Sequence, residues 1–254
     1  MTIKISVITA TWNCIETLPE SLNSVANQSY ENIETIWVDG GSTDGTKELL
    51  AHSYIPERGG YISEPDQGIY DALNKGIEMA KGDVIGFLHA DDILANKNVL
   101  SKVAKIFENP SVDAVYGDLI YVDKYESSKI VRNWRCGKFS KRKLSRGWMP
   151  PHPTLYMRRS IFQKTGFFNL KYKIAADYDY ILRVFSNQNL NSVYIPEILV
   201  SMRLGGASNS SIANILRKSK EDFQILRSNK IGNIVTLLLK NARKLHQFSP
   251  FKQY

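Results

Sequence analysis

Short β-branched and aliphatic runs alternate with stretches whose apolar positions recur every three or four residues through the first half of the chain. Ile3 to Thr9 reads as a strand, and Glu16 to Ala26 as a helix with Leu18, Leu22 and Val25 on one face. Ile33 to Val38 predicts a second strand, and Thr43 to Ala51 a helix capped by Ser42. A short strand over Tyr61 to Ser63 precedes a helix from Ile69 to Lys81, with Ile69, Leu73, Ile77 and Ala80 on its apolar face. Val84 to Leu88 reads as a buried strand, Asn98 to Phe107 as a helix and Ala114 to Val122 as more strand. The second half is less regular. Residues 125–146 are basic and poor in periodic hydrophobics, which predicts a mobile or surface segment. Beyond it come a strand at Thr154 to Met157, a helix at Ala175 to Phe185 and strands at Ser192 to Ile195 and Ile198 to Met202. Two terminal helices follow, over Ile212 to Leu226 and Ile231 to Leu245. Strands alternating with helices predict an α/β fold with a mostly parallel central sheet covered by helices on both faces and a C-terminal helical extension.

With 43% hydrophobic residues in a chain of 254, a full α/β core is affordable and wholesale disorder is excluded. Two cysteines, Cys14 and Cys136, make neither a disulfide framework nor a CxxC metal site. The first residues lack the apolar core of a secretory signal, and no apolar run nears the roughly 20 residues that span a bilayer. A cytoplasmic location is expected. The net charge of +8 is unevenly spread: residues 1–123 hold 8 Lys/Arg against 19 Asp/Glu, whereas residues 124–146 hold 9 against 1 and residues 205–254 hold 9 against 2. The acidic half would repel a nucleoside diphosphate unless a cation intervened. The basic half would attract an anionic surface or acceptor, although plain solubility is an alternative. Without a helix-turn-helix, zinc-finger or RNA-binding signature, nucleic acid is not an expected partner.

Chemistry concentrates where predicted strands end. Phe87-Leu88-His89-Ala90-Asp91-Asp92 places two adjacent carboxylates at the carboxyl end of a buried strand, where α/β folds bind ligands. Such neighbours repel each other unless a cation joins them, and a divalent ion holding a phosphorylated ligand resolves the repulsion. Thr9-Ala10-Thr11-Trp12-Asn13 ends the first strand, and Val38-Asp39-Gly40-Gly41-Ser42 ends the second.

The succession SVITATWN, SLNSVANQSYENIETIWVDGGSTDGT and SEPDQGIYDALNKGIEMAKGDVIGFLHADD resembles glycosyltransferase family 2. The likeness runs continuously through about half the chain, and fragments match later. It implies a GT-A nucleotide-diphospho-sugar transferase fold and inverting, metal-dependent sugar transfer using Mg²⁺ or Mn²⁺. It also implies roles for the matching positions. Asp39 would accept the uracil N3–H, with Thr9 and Thr11 beside it; an Asx-turn before Gly40-Gly41 is the alternative for Asp39. Asp66 would approach the base, and Asn74 and Lys75 the nucleotide, although a solvated helix position also suits Lys75. Asp91 is the first expected metal ligand and Asp92 the second, with His89 standing where the family has an acid. His152 would line the sugar or acceptor site, or serve only as a hydrogen-bonded structural residue. Asp177 matches the general base, with Asp179 and Arg183 following it on the acceptor side. Arg203, in Arg203-Leu204-Gly205-Gly206-Ala207-Ser208, would reach phosphate from a flexible loop.

The expected reaction moves a hexose or N-acetylhexosamine from a UDP-sugar to a polyprenyl-diphosphate-linked saccharide, in O-antigen, capsule or exopolysaccharide synthesis. Residues 1–204 would form the catalytic domain, with 1–123 binding the nucleotide-sugar and 124–204 the acceptor. Residues 205–254, including Lys240, Arg243, Lys244 and Lys252, would pack on that domain or lie on the inner face of the cytoplasmic membrane. A noncatalytic nucleotide-sugar-binding or scaffold subunit is the rival from another class. A nucleotidyltransferase would need a glycine-rich basic loop that TATWNCIE does not supply.

Overall fold

The computed structural model describes residues 2–205, 212–244 and 247. Residues 206–208 of the expected loop, and Lys252, lie outside the described residues. The chain opens with β1 (Ile5–Thr11), α1 (Leu18–Ala26), β2 (Ile33–Asp39), α2 (Thr46–Ser53), β3 (Gly59–Ser63) and α3 (Ile69–Met79). It continues with β4 (Val84–Phe87), β5 (Ile93–Leu94), α4 (Val99–Phe107), β6 (Ala114–Val122), β7 (Ile130–Trp134) and α5 (Lys141–Leu144). The last part holds β8 (Tyr156–Arg158), α6 (Arg159–Thr165), α7 (Ala176–Phe185), β9 (Ser192–Arg203), α8 (Ile212–Ser228) and α9 (Ile234–Arg243).

All the strands join one sheet in the order β3-β2-β1-β4-β8-β6-β9-β5, with β7 also paired to β6. The fold is α/β as expected, but the sheet is mixed. The pairs from β3 through β4 are parallel, as is β6 with β9; β8, β7 and β5 pair antiparallel. Period-two alternation sorts the side chains onto two faces. Ile8, Ala10, Ile36, Val38, Ile85 and Phe87 pack with α3 and α7, whereas Ile5, Val7 and Val84 pack with α4. The α3 helix sits close to β1 because Gly76 has no side chain: a Cβ there would come within 2.4 Å of the Ile8 side chain.

Three expectations change and a fourth is narrowed. Ser42 does not cap α2: the helix starts later, at Thr46, whose N–H donates to Asp44 Oδ1 (3.0 Å), while Ser42 turns back toward Asp39. Residues 125–146 lie mostly at the surface, in line with the second of the two readings, but the segment is anchored to the core. Trp134 packs on the core, Cys136 and Leu144 are buried in it, and β7 pairs antiparallel with β6 along Leu119 to Val122. Its few apolar residues anchor the segment and leave its basic ones at the surface or the cavity. Pro196 does not split two strands. Gly117 pairs with Ile195 and Asp118 with Ile198, so a bulge takes up Pro196 and Glu197 and the missing N–H goes unneeded. A helical turn at His152–Thr154 replaces the start of the expected strand, and β5 and α6 had no clear periodic signal.

The C-terminal helices pack on the rest of the chain through Ile225, Leu226 and Leu237, which are buried in the main core. They leave Ile215, Leu216, Ile234, Val235, Leu238 and Leu239 exposed. No helix among the described residues is long and apolar enough to cross a membrane.

Candidate active site

A cavity of about 1640 Å³ opens at the carboxyl ends of β1 and β4 and extends to α8 and α9. Open α/β sheets bind ligands in this position because parallel strands deliver loop residues together there. Among the expected site residues, Thr11, Asp66, His89, Asp91, His152 and Asp177 all line it.

Asp177 stands in the first turn of α7. Two elements hold that turn. The Tyr70 hydroxyl on α3 lies 3.1 Å from Asp177 Oδ1 and 2.9 Å from the Ile174 carbonyl oxygen. From α8, the Glu221 carboxylate accepts the main-chain N–H groups of Lys173 (3.1 Å), Ile174 (2.9 Å) and Ala175 (3.0 Å). Burial and the nearby Asp177 charge push the Tyr70 phenol well up, so the hydroxyl stays protonated and able to donate.

Beside Asp177 sit two histidines. The His152 ring stacks on Phe87 with centroids 4.9 Å apart, and the His89 ring is 5.8 Å from it. Only 5% of His152 is exposed, and burial holds it down at about 4; burial also lowers His89, against the charges of Asp91 and Asp177. Both rings are therefore neutral near pH 7. His89 Nδ1 and His152 Nε2 are buried without a hydrogen-bond partner, which leaves each ring a free polar atom at this wall.

The two aspartates after β4 separate. Asp91 lines the cavity. Asp92 lies behind the wall with no exposure, and both its oxygens lack partners of good geometry. Burial, reinforced by the charge of Asp91, raises Asp92 well above the usual carboxylate range. Asp92 is buried and does not line the cavity, so of this pair only Asp91 is presented there. No group of three His, Cys, Asp or Glu able to hold a metal occurs among the described residues. One cavity carboxylate with a histidine beside it still suits a cation that takes most of its shell from water and ligand phosphate oxygens.

Several expected residues stand behind the cavity instead. Asp39 is fully buried and accepts from Thr11 Oγ1 (3.0 Å), Ser42 Oγ (2.5 Å), Ser63 Oγ (2.7 Å), and the N–H groups of Gly41 (3.2 Å) and Ser42 (3.0 Å). Burial pushes Asp39 up, but these hydrogen bonds outweigh it and hold the carboxylate below its usual range. Five donors occupy its oxygens, so in this state Asp39 makes Asx-turn contacts and ties the ends of β1, β2 and β3 together. Thr9 is buried in β1. Asn74 clasps the main chain of Phe168 in both directions (3.0 and 2.9 Å). Lys75 pairs with Glu64 (2.7 Å) and Asp71 (3.8 Å), and the Glu64 hydrogen bond raises it. Asp179 accepts from Arg183 (2.9 Å) and Asn229 (3.0 Å), and Arg183 also donates to the carbonyls of Thr165 and Phe167. Arg203 pairs with Glu20 and donates to the Lys124 carbonyl (3.2 Å).

The cavity also carries Trp12, which has no role in the sequence reading, and Lys240, which that reading places in the basic C-terminal region rather than at the site. Trp12, 69% exposed, stands at its lining as a flat ring available for stacking. Lys240, on α9, is buried 2.6 Å from Asp222.

Comparison with known proteins agrees with this geometry. The family described as Glycosyl transferase family 2 matches residues 6–174. A PGL/p-HBAD biosynthesis glycosyltransferase of Mycobacterium bovis (strain BCG / Pasteur 1173P2) is 36% identical over 213 residues, covering 82% of this chain and 80% of its own. Among solved structures, Staphylococcus aureus TarS 1-349 in complex with UDP-GlcNAc superposes with a TM-score of 0.68 at 19% identity, over 90% of this chain and 66% of that one. The mannosyltransferase PcManGT of Pyrobaculum calidifontis, in complex with GDP-Man and Mn²⁺, superposes with a TM-score of 0.67 at 17% identity, over 96% of this chain and 74% of that one. By its matched residues and its fold, the chain belongs to glycosyltransferase family 2.

Proposed function

We propose that the chain is an inverting transferase that moves a hexose or N-acetylhexosamine from a UDP-sugar to a saccharide acceptor, with Asp177 as the general base. The observation that carries this reading is that one cavity holds a carboxylate for the acceptor proton, Asp177, and a second for the donor's diphosphate region, Asp91. Trp12, Thr11 and Asp66 line the same cavity and would receive the base and ribose. Asp39 acts through Thr11, whose hydroxyl it fixes.

In the reaction, Asp177 takes the acceptor hydroxyl proton as the hydroxyl oxygen bonds to the anomeric carbon. The bond from that carbon to the diphosphate breaks on the opposite face, and its electron pair leaves with UDP. Tyr70 and Glu221 keep the carboxylate aimed, so little reorganisation accompanies the step. Neutral His89 and His152 offer hydrogen bonds to sugar or ribose hydroxyls without adding charge. Asp91, with His89 beside it, would hold Mn²⁺ or Mg²⁺, which when bound offsets the negative charge of the diphosphate.

We further propose a lipid-linked acceptor, such as a polyprenyl-diphosphate saccharide of O-antigen, capsule or exopolysaccharide synthesis, and a peripheral position on the inner membrane. The exposed apolar residues of α9 beside a basic cluster support this. A donor screen with saccharide acceptors, read by NMR of the product's anomeric carbon, tests the reaction. An inverted linkage formed from a UDP-sugar agrees; a retained configuration, or no transfer from any UDP-sugar, contradicts it.

A further inference from the structure

The cavity continues past the groups used so far onto a wall built by α8 and α9. Lys218, Lys240, Arg243 and Lys244 line it there, and on these helices Asp222 is the one lining acid among the described residues. Asp222 is already engaged: its Oδ1 lies 2.6 Å from Lys240 Nζ, which also sits 3.3 Å from the centre of the Tyr178 ring. Lys240 is 6% exposed, so this pair is a fixed part of the wall. Lys244 donates to Asn241 Oδ1 (3.2 Å), and no carboxylate pairs with it or with Lys218 among the described residues. Burial, then the charges of Lys218 and Lys240, hold Lys244 down at about 8. The wall thus concentrates uncompensated positive charge in a concave, partly desolvated place, which an anion would relieve.

The charge of Asp177 acts on Lys240 as well as on His89 and His152, so the cationic wall neighbours the proposed base. We infer that the α8–α9 wall is an acceptor-anchoring site for a phosphate or diphosphate group, with Lys218 and Lys244 as its ligands and the Lys240–Asp222 pair as its floor. This rests on the sugar-transfer reading of the same cavity. A phosphoryl group fits better than a single carboxylate, because several ammonium groups converge and a phosphoryl dianion matches more than one of them. The Asp91 side of the cavity is acidic and does not repeat this arrangement.

The test is calorimetric titration of the intact chain, in saturating UDP to fill the donor site, with inorganic pyrophosphate in one arm and farnesyl diphosphate in the other. Lys218→Ala and Lys244→Ala are each expected to weaken diphosphate binding at least tenfold while UDP affinity stays within twofold, which also reports an intact fold. Lysine-dependent binding in either arm supports the site. Tighter farnesyl diphosphate identifies a lipid phosphate as the source, and equal binding a soluble phosphorylated acceptor. Unchanged diphosphate affinity in both variants overturns the inference. So does a parallel loss of UDP affinity, which would assign these lysines to the donor. If the chain fails to bind UDP, the donor reading falls, while a titration without UDP still decides the anion site.

Discussion

The Tyr70 hydroxyl lies 3.1 Å from Asp177 Oδ1, joining α3 to α7 across 107 residues of sequence. The contact gives the proposed base a neighbour that donates and stays neutral. Removing the hydroxyl alone, in Tyr70→Phe, deletes that hydrogen bond and keeps the ring packed against Phe168. We expect kcat to fall roughly fivefold, equivalent to about 1 kcal/mol, with the KM for the donor little changed. Steady-state kinetics at saturating acceptor check this; a shift confined to donor KM would place Tyr70 at the nucleotide.

Asp91 and Asp92 are adjacent in sequence yet unlike in position, one lining the cavity and one buried behind it. Asp91→Asn is expected to lower transfer at least a hundredfold, within the range of lost charge stabilisation at a reacting centre. Asp92→Asn should cost much less activity. Chelator treatment of the wild type should abolish transfer, and Mn²⁺ or Mg²⁺ should restore it. Full activity in EDTA, or equal losses in the two variants, would remove the metal role given to Asp91.

His152 gives the fold a pH signature. Its folded value, about 4, lies below the ordinary 6.5, so between these values the unfolded chain binds more protons than the folded one. Its contribution is therefore full above pH 6.5 and declines as pH falls toward 4. A single group shifted this way contributes a slope of at most about 1.4 kcal/mol per pH unit. Urea unfolding at pH 7 and pH 5 should show less loss of stability on acidification for His152→Gln than for the wild type. Identical losses would show that His152 does not titrate as a buried neutral ring.

Much of this arrangement is legible in the sequence, and the limits have physical causes. Apolar runs ending in Asp39 and in Asp91 announce strand ends, because a buried run must stop where the chain turns polar. Asp177 is legible only through the family likeness, since a first-turn acid on a helix is ordinary. Asn74, Asp179 and Arg183 look like site groups in sequence but bind main chain or one another, since the pattern does not tell which neighbour a polar helix residue meets. Glu221 and Tyr70 are hidden for the same reason, as their partners are distant in sequence. The β7 strand escaped because its apolar residues, Ile130, Val131 and Trp134, do not alternate with period two, and it gains its order from pairing with β6.

The exposed side chains of α9 yield a prediction about location. Val235 and Leu238 are 56% and 62% exposed on a helix whose last turn carries Arg243. Co-sedimentation with vesicles containing anionic lipid should capture the wild type and release it in high salt. The Val235→Glu, Leu238→Glu double variant should stay in the supernatant without losing UDP binding. Equal sedimentation of both proteins would place membrane contact elsewhere or nowhere.

Asp177→Asn isolates the proton-accepting role, because the amide keeps the shape and the Tyr70 contact but cannot serve as base. Transfer and UDP affinity should be measured on the same preparation. If Asp177 removes the acceptor proton, the rate falls on the order of 10²–10⁴-fold with UDP affinity within twofold of wild type. Transfer within a few-fold of wild type would contradict that role.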